Sequence, residues 1–168
     1  MKSRLVFLSA IIVTLLTAAP ASAGAPVREF LPAEAFDLDV GPCPFIVHVE
    51  FPVNNEYSIT FTDADGNPTR ILIQGALFTT LTNTENGESV TLNISGPGVI
   101  TFGEDGSTLV TGWGNWTLFF FPGQLGPGSP GSLILNQGRF ELLTAANGFD
   151  QTFLSQTGKQ TDVCAMIS

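Results

Sequence analysis

Chemistry that depends on an imidazole has one place to go in this sequence, because His48 is its only histidine. A nucleophile relay or a general acid–base pair would run through it, and a three-histidine zinc site is impossible by count. His48 shares one face of an alternating segment with Glu50, opposite Phe45, Val47, Val49 and Phe51. Two polar side chains two residues apart on a strand face ordinarily meet solvent, so neither is assigned a catalytic role. Asp63-Ala64-Asp65-Gly66-Asn67 sets oxygen atoms at alternate positions, as a calcium loop begins. The rest of that loop is missing: Pro68 stands where an EF-hand needs its glycine, and Gln74 where it needs a bidentate glutamate. A hairpin turn with Gly66 in the left-handed region accounts for the same residues, and no metal ligand is assigned.

Carboxylate pairs such as Glu85 with Glu88 and Glu104 with Asp105 fall in turn-rich stretches, whereas a glycosidase needs two acids held at a set separation in a cleft. There is no glycine-rich phosphate loop opening a helix, no G-x-S-x-G elbow and no S-x-x-K motif, so no cofactor is implied. What remains is aromatic. Trp113 and Trp116 flank Gly114-Asn115, and displayed on a β module they would stack on a sugar ring or grip an apolar ligand. They are the candidate ligand-binding residues, with core packing as the competing role. Phe119, Phe120 and Phe121 follow directly and read as a strand buried on both faces. Such a strand needs cover on each side, from the loop at 122–131, from the segment at 24–44 or from a partner subunit.

The elements that position these residues begin after a leader. Lys2 and Arg4, an apolar run from Leu5 to Ala19, and Pro20-Ala21-Ser22-Ala23 have the three-part layout of a secretory signal peptide. The run falls short of the roughly 20 residues that span a bilayer, so residues 1–23 read as removed on export and no membrane span is expected afterwards. Without Lys2 and Arg4, four basic side chains face fifteen acidic ones, a net charge of −11. Phosphate backbones are repelled by such a surface, which excludes nucleic acid as a partner. An oxidising compartment favours cysteine pairing, and the one possible pair is Cys43 with Cys164.

Residues 24–44 carry four prolines and no sustained pattern, and read as an extended lead-in with room for one helical turn at 32–36. From Phe45 to Ser168 the sequence reads as a single β domain. Phe45 to Phe51, Tyr57 to Thr62 and Ser89 to Ser95 alternate apolar with polar residues, and several shorter apolar runs follow to Leu154. Asp65-Gly66, Asn86-Gly87, Asp105-Gly106, Gly114-Asn115, Gln137-Gly138 and Asn147-Gly148 stand between the runs, and such pairs make the tight turns that join antiparallel neighbours. The fold expected is all-β, an antiparallel meander of about eight to ten strands. Edges with few protecting charges favour a closed or nearly closed β-barrel over the alternative, a two-sheet β-sandwich. Gly75 would mark a bulge or sharp bend.

Phe61-Thr62-Asp63-Ala64-Asp65-Gly66-Asn67-Pro68-Thr69-Arg70, Thr79-Thr80-Leu81-Thr82-Asn83 and Asn93-Ile94-Ser95-Gly96-Pro97-Gly98 resemble segments of small secreted all-β proteins of actinobacteria, a group with no characterised function. The resemblance implies bacterial export and an all-β fold and carries over no site. Few reactive side chains beside many phenylalanines point to a secreted, extracellular protein, a monomer or weak oligomer, that binds a small apolar molecule or a glycan without catalysis. The alternatives are a cavity enzyme of cyclase or isomerase type, with His48 as its best candidate, and a structural or inhibitory cell-surface protein.

Overall fold

The structure is a computed structural model that describes residues 24–168; the leader expected at 1–23 lies outside the described residues. It is all-β, with fourteen strands numbered in chain order and one short 3-10 turn, Cys164–Met166. Every pairing is antiparallel. The largest sheet joins β1 (Val27–Phe30), β4 (Tyr57–Thr62), β5 (Pro68–Gln74), β8 (Gly98–Phe102), β9 (Thr108–Gly112), β12 (Phe140–Thr144) and β13 (Gln151–Gln156), in that spatial order. A four-stranded sheet orders β2 (Phe36–Leu38), β3 (Val47–Asn54), β6 (Leu77–Asn83) and β7 (Ser89–Asn93). A three-stranded sheet holds β10 (Asn115–Phe120), β11 (Ser132–Gln137) and β14 (Lys159–Asp162).

These ladders run as three open sheets, and among the described residues none returns to its first strand to close a ring. Two cores explain how greasy edges are managed without closure. Val47, Val49 and Leu81 of the four-stranded sheet pack with Leu133 and Leu135 of the three-stranded one, joined by Val163 and Ile167. On its other face the three-stranded sheet sets Phe120 and Ile134 against Phe140 and Leu142 of the large sheet. The small sheet is therefore the middle layer. The expected burial of Phe119–Phe121 on both faces holds only in part: Phe120 turns toward the large sheet, Phe121 packs on the other core and under Gly41 of the 24–44 segment, and Phe119 stays 47% exposed.

Gly98 and Gly112, paired across β8 and β9, leave the large sheet thin where the middle layer presses on it. The Trp116 ring occupies the space a Cβ at Gly98 would need, and the Phe140 ring does the same at Gly112. The two rings meet edge to face at 5.6 Å between centroids, a favoured aromatic geometry.

The turn signals divide into two kinds. Gly66, Gly87, Gly106 and Gly148 close hairpins β4–β5, β6–β7, β8–β9 and β12–β13 in the left-handed region. Gly114 and Gly138 instead stand where the chain passes from one sheet to another, so these two pairs are corners and not hairpins. Gly75, at φ 137°, makes the expected sharp bend, from the large sheet into the four-stranded one. Residues 24–44 supply β1 and β2, edge strands of two different sheets, and the possible helical turn at 32–36 is an irregular connection instead. Pro32 fixes its own φ and holds the residue before it extended, and β2 already begins at Phe36.

Cys43 and Cys164 form the disulfide, 121 residues apart in sequence. Among the described residues no helix is long and apolar enough to cross a membrane.

Candidate functional site

Between the four-stranded sheet and the middle layer lies an apolar cavity of about 160 Å³. Its walls come from alternation alone. On β2, Phe36 and Leu38 point inward; β3 adds Val49 and Phe51, and β6 adds Thr79 and Leu81. The middle layer completes it with Thr117 and Phe119 of β10 and Leu133 of β11. Both β2 and β10 are edge strands, so the gap between them is unbridged by backbone hydrogen bonds. Phe36 and Phe119, 42% and 47% exposed, stand at that gap. Phe36 tilts toward Phe51 at 6.4 Å, and Phe119 meets Phe121 edge to face at 6.5 Å. The mouth is thus framed by aromatic pairs, and none of the lining side chains is charged.

One wall residue is out of keeping with the rest. Thr79 is 1% exposed and its hydroxyl has no hydrogen-bond partner. Buried polar groups are nearly always paired, and an unpaired one costs about 1–3 kcal/mol.

A second cavity, of about 170 Å³, sits where all three sheets meet, lined by Glu56, Ile73, Leu77, Ile94, Trp116 and Thr117. Partial burial raises the pKa of the Glu56 carboxyl above the ordinary range. Trp116 therefore does line a cavity, but its indole Nε1 is buried without a partner against the Gly96 turn. Trp113 lies just beyond β9, 39% exposed, and lines neither cavity. The two tryptophans are not brought together at one site.

His48 is on the opposite face of β3 from the apolar cavity. Its neighbours Val47 and Val49 are buried, which turns the imidazole outward. It donates from Nδ1 to Asp37 Oδ1 at 2.6 Å, with Asp37 directly across on β2, and its Nε2 lies 3.7 Å from Glu50 Oε1. From β6 the residue opposite is the uncharged Thr82. The hydrogen bond to Asp37, with Glu50 adding, raises the pKa of the imidazole. A folded-state pKa above the unfolded one contributes stability that is full below the unfolded value and lost as pH rises through the folded one. Thermal unfolding followed from about pH 5.5 to pH 8.5 should show a small loss across the imidazole titration, and His48→Gln should lack that step. An identical profile in the two proteins would count against the pair.

At the β4–β5 turn, the Asp63 carboxyl accepts from the backbone of Asp65 and Asn67 at 2.9 and 2.8 Å and from Asn67 Nδ2 at 3.1 Å. These bonds, led by the Asn67 side chain, lower its pKa. Its oxygens are engaged in holding the turn, as the hairpin reading expects.

The sequence did point to Trp116 and to the phenylalanine triple. It did not single out Phe36, Phe51 or Thr79. The available signal was Thr79 at an inward position between Leu77 and Leu81, in the phase where a strand facing a core carries apolar residues.

No family model, curated protein or solved structure matches this chain.

Proposed function

We propose that the protein is an exported, disulfide-stapled β protein that holds a small apolar molecule in the cavity between β2 and β10, without catalysing its conversion. The observation that carries this reading is an uncharged, aromatic-framed void of about 160 Å³ opening between two edge strands. Engineered cavities of about 150 Å³ lined by such side chains stay dry and bind benzene. The disulfide is consistent with an extracellular location, and export of a bacterial protein is what the leader and the actinobacterial resemblance support. We take the layers as sandwich-like in preference to a closed barrel, with the ligand between layers. The cyclase or isomerase alternative loses its best residue, since His48 faces away from the cavity.

Calorimetric or NMR titration with benzene should give saturable binding. Val49→Phe, which fills the void, should abolish it while leaving the thermal midpoint unchanged or higher. No binding to the wild-type chain, or equal binding to both proteins, would overturn the proposal. A surface glycan is the second reading, favoured by exposed Trp113; an oligosaccharide that quenches Trp113 fluorescence, with Trp113→Ala abolishing the effect, would support it over the cavity.

A further inference from the structure

We infer that the cavity where the three sheets meet binds a small organic cation, a protonated amine carrying one ring or a short branched chain, with the Glu56 carboxylate as its counter-ion. This site is separate from the one between β2 and β10, and neither depends on the other. Glu56 precedes β4 by one residue and continues the inward phase of Ser58, which is 6% exposed. Among the described residues only three acidic side chains are withdrawn from the exposed surface: Glu56, Asp63 and Glu141. Asp63 is bonded within its turn, and Glu141 pairs with Arg139 and Ser155. The Glu56 carboxyl has no such partner, and burial alone raises its pKa. Its oxygens are nevertheless open to a ligand, unlike the sealed Trp116 Nε1.

The charges around Glu56 favour a cation. On β1, Glu29 is paired opposite Ser58 and lines, with Glu56, the groove outside the cavity. Arg28 alternates to the other face, its guanidinium over the Tyr57 ring at 3.7 Å. The remaining wall, Ile73 of β5, Leu77 of β6, Ile94 after β7, and Trp116 and Thr117 of β10, carries no charge. An ammonium group would therefore meet the carboxylate while its apolar body lies among Ile73, Leu77 and Ile94. The carbon surface of the indole adds the attraction of an aromatic ring for a cation. A neutral occupant would leave the half-buried carboxylate unpaired, and an anion would be repelled by it. The volume, about 170 Å³, admits a body the size of benzene, and the formal charge of −9 on the whole chain draws cations toward the surface.

The test titrates benzylammonium chloride and benzyl alcohol in parallel, at about 0.15 M salt to screen diffuse attraction. The wild type should bind the ammonium more tightly. In Glu56→Gln that preference should shrink by about tenfold or more, the worth of a charge-assisted hydrogen bond. The glutamine variant removes a desolvated charge and should fold at least as well. A second readout needs no variant: in the wild type the ammonium's affinity should fall as pH drops from neutral through the carboxyl titration, because binding requires the ionised form. No binding of benzylammonium to the wild type, an affinity indifferent to pH, or the same preference in wild type and Glu56→Gln would overturn the inference. The last result is also what a ligand seated in the uncharged β2–β10 cavity would give, so that site stands or falls on its own titration.

Discussion

Replacing both Cys43 and Cys164 by serine is expected to lower the free energy of unfolding by about 4–5 kcal/mol in the chain-entropy account. The magnitude follows from span. The bridge closes a loop of 121 residues, so most of the described chain loses freedom in the unfolded state when the sulfurs are joined. Packing adds to it. Cys43 is 2% exposed and shares a core with Leu38, Phe45, Val163 and Ile167. Asn83, itself buried, donates from Nδ2 to the Ile167 carbonyl at 3.0 Å, so the segment after β14 is held on two sides. Without sulfur, two hydroxyls would enter that apolar site in its place. Urea unfolding under oxidising conditions checks this: the serine variant should unfold at a markedly lower midpoint, and coincident curves would refute the account.

Phe140→Ala should cost about 3–5 kcal/mol, the range for removing a fully buried aromatic side chain. Phe140 is 0% exposed and touches both outer and middle layers, with its ring over Gly112 and the edge of Trp116 against it. Because Gly112 has no side chain to move into the space, the hole cannot collapse from below. Trp116 would lose its partner as well, so its fluorescence should shift along with the lowered urea midpoint. A loss below about 1 kcal/mol would mean that the two sheets close over the gap left by the ring.

Much of the strand content could be read from period-two patterns because an alternating segment reports its own inward face whatever it packs against. The segment expected at Phe45 to Phe51 illustrates this in β3, which begins two residues later at Val47 and runs on to Asn54, with Val47 and Val49 buried as the alternation expects. The strand expected at Tyr57 to Thr62 is present as β4, though there Ser58 is the buried residue. The same property hides the partner. β3 and β4 are consecutive and alternate alike, yet they belong to different sheets. Gln137-Gly138 looks like a hairpin turn, but its glycine serves the close passage of residues 137–138 past residues 157–158. β1, β2 and β14 are short, lie at sheet edges and show little alternation, as Val27-Arg28-Glu29-Phe30 and Lys159-Gln160-Thr161-Asp162 make plain. The cavity was illegible for a related reason. It depends on β2 and β10 ending up face to face across two sheets, a relation between residues some 80 positions apart that no local pattern encodes.

The middle layer is the one assembled from the most scattered parts of the chain: β10 and β11 form a hairpin, and β14 joins them only after β12 and β13 have gone to the large sheet. Synthesis is vectorial, so a nascent chain emerging as far as β13 has two finished outer walls and an incomplete partition between them. Cys43 at that stage has no mate. Such an intermediate displays both greasy faces at once and is prone to misassociate until the last strand completes the partition.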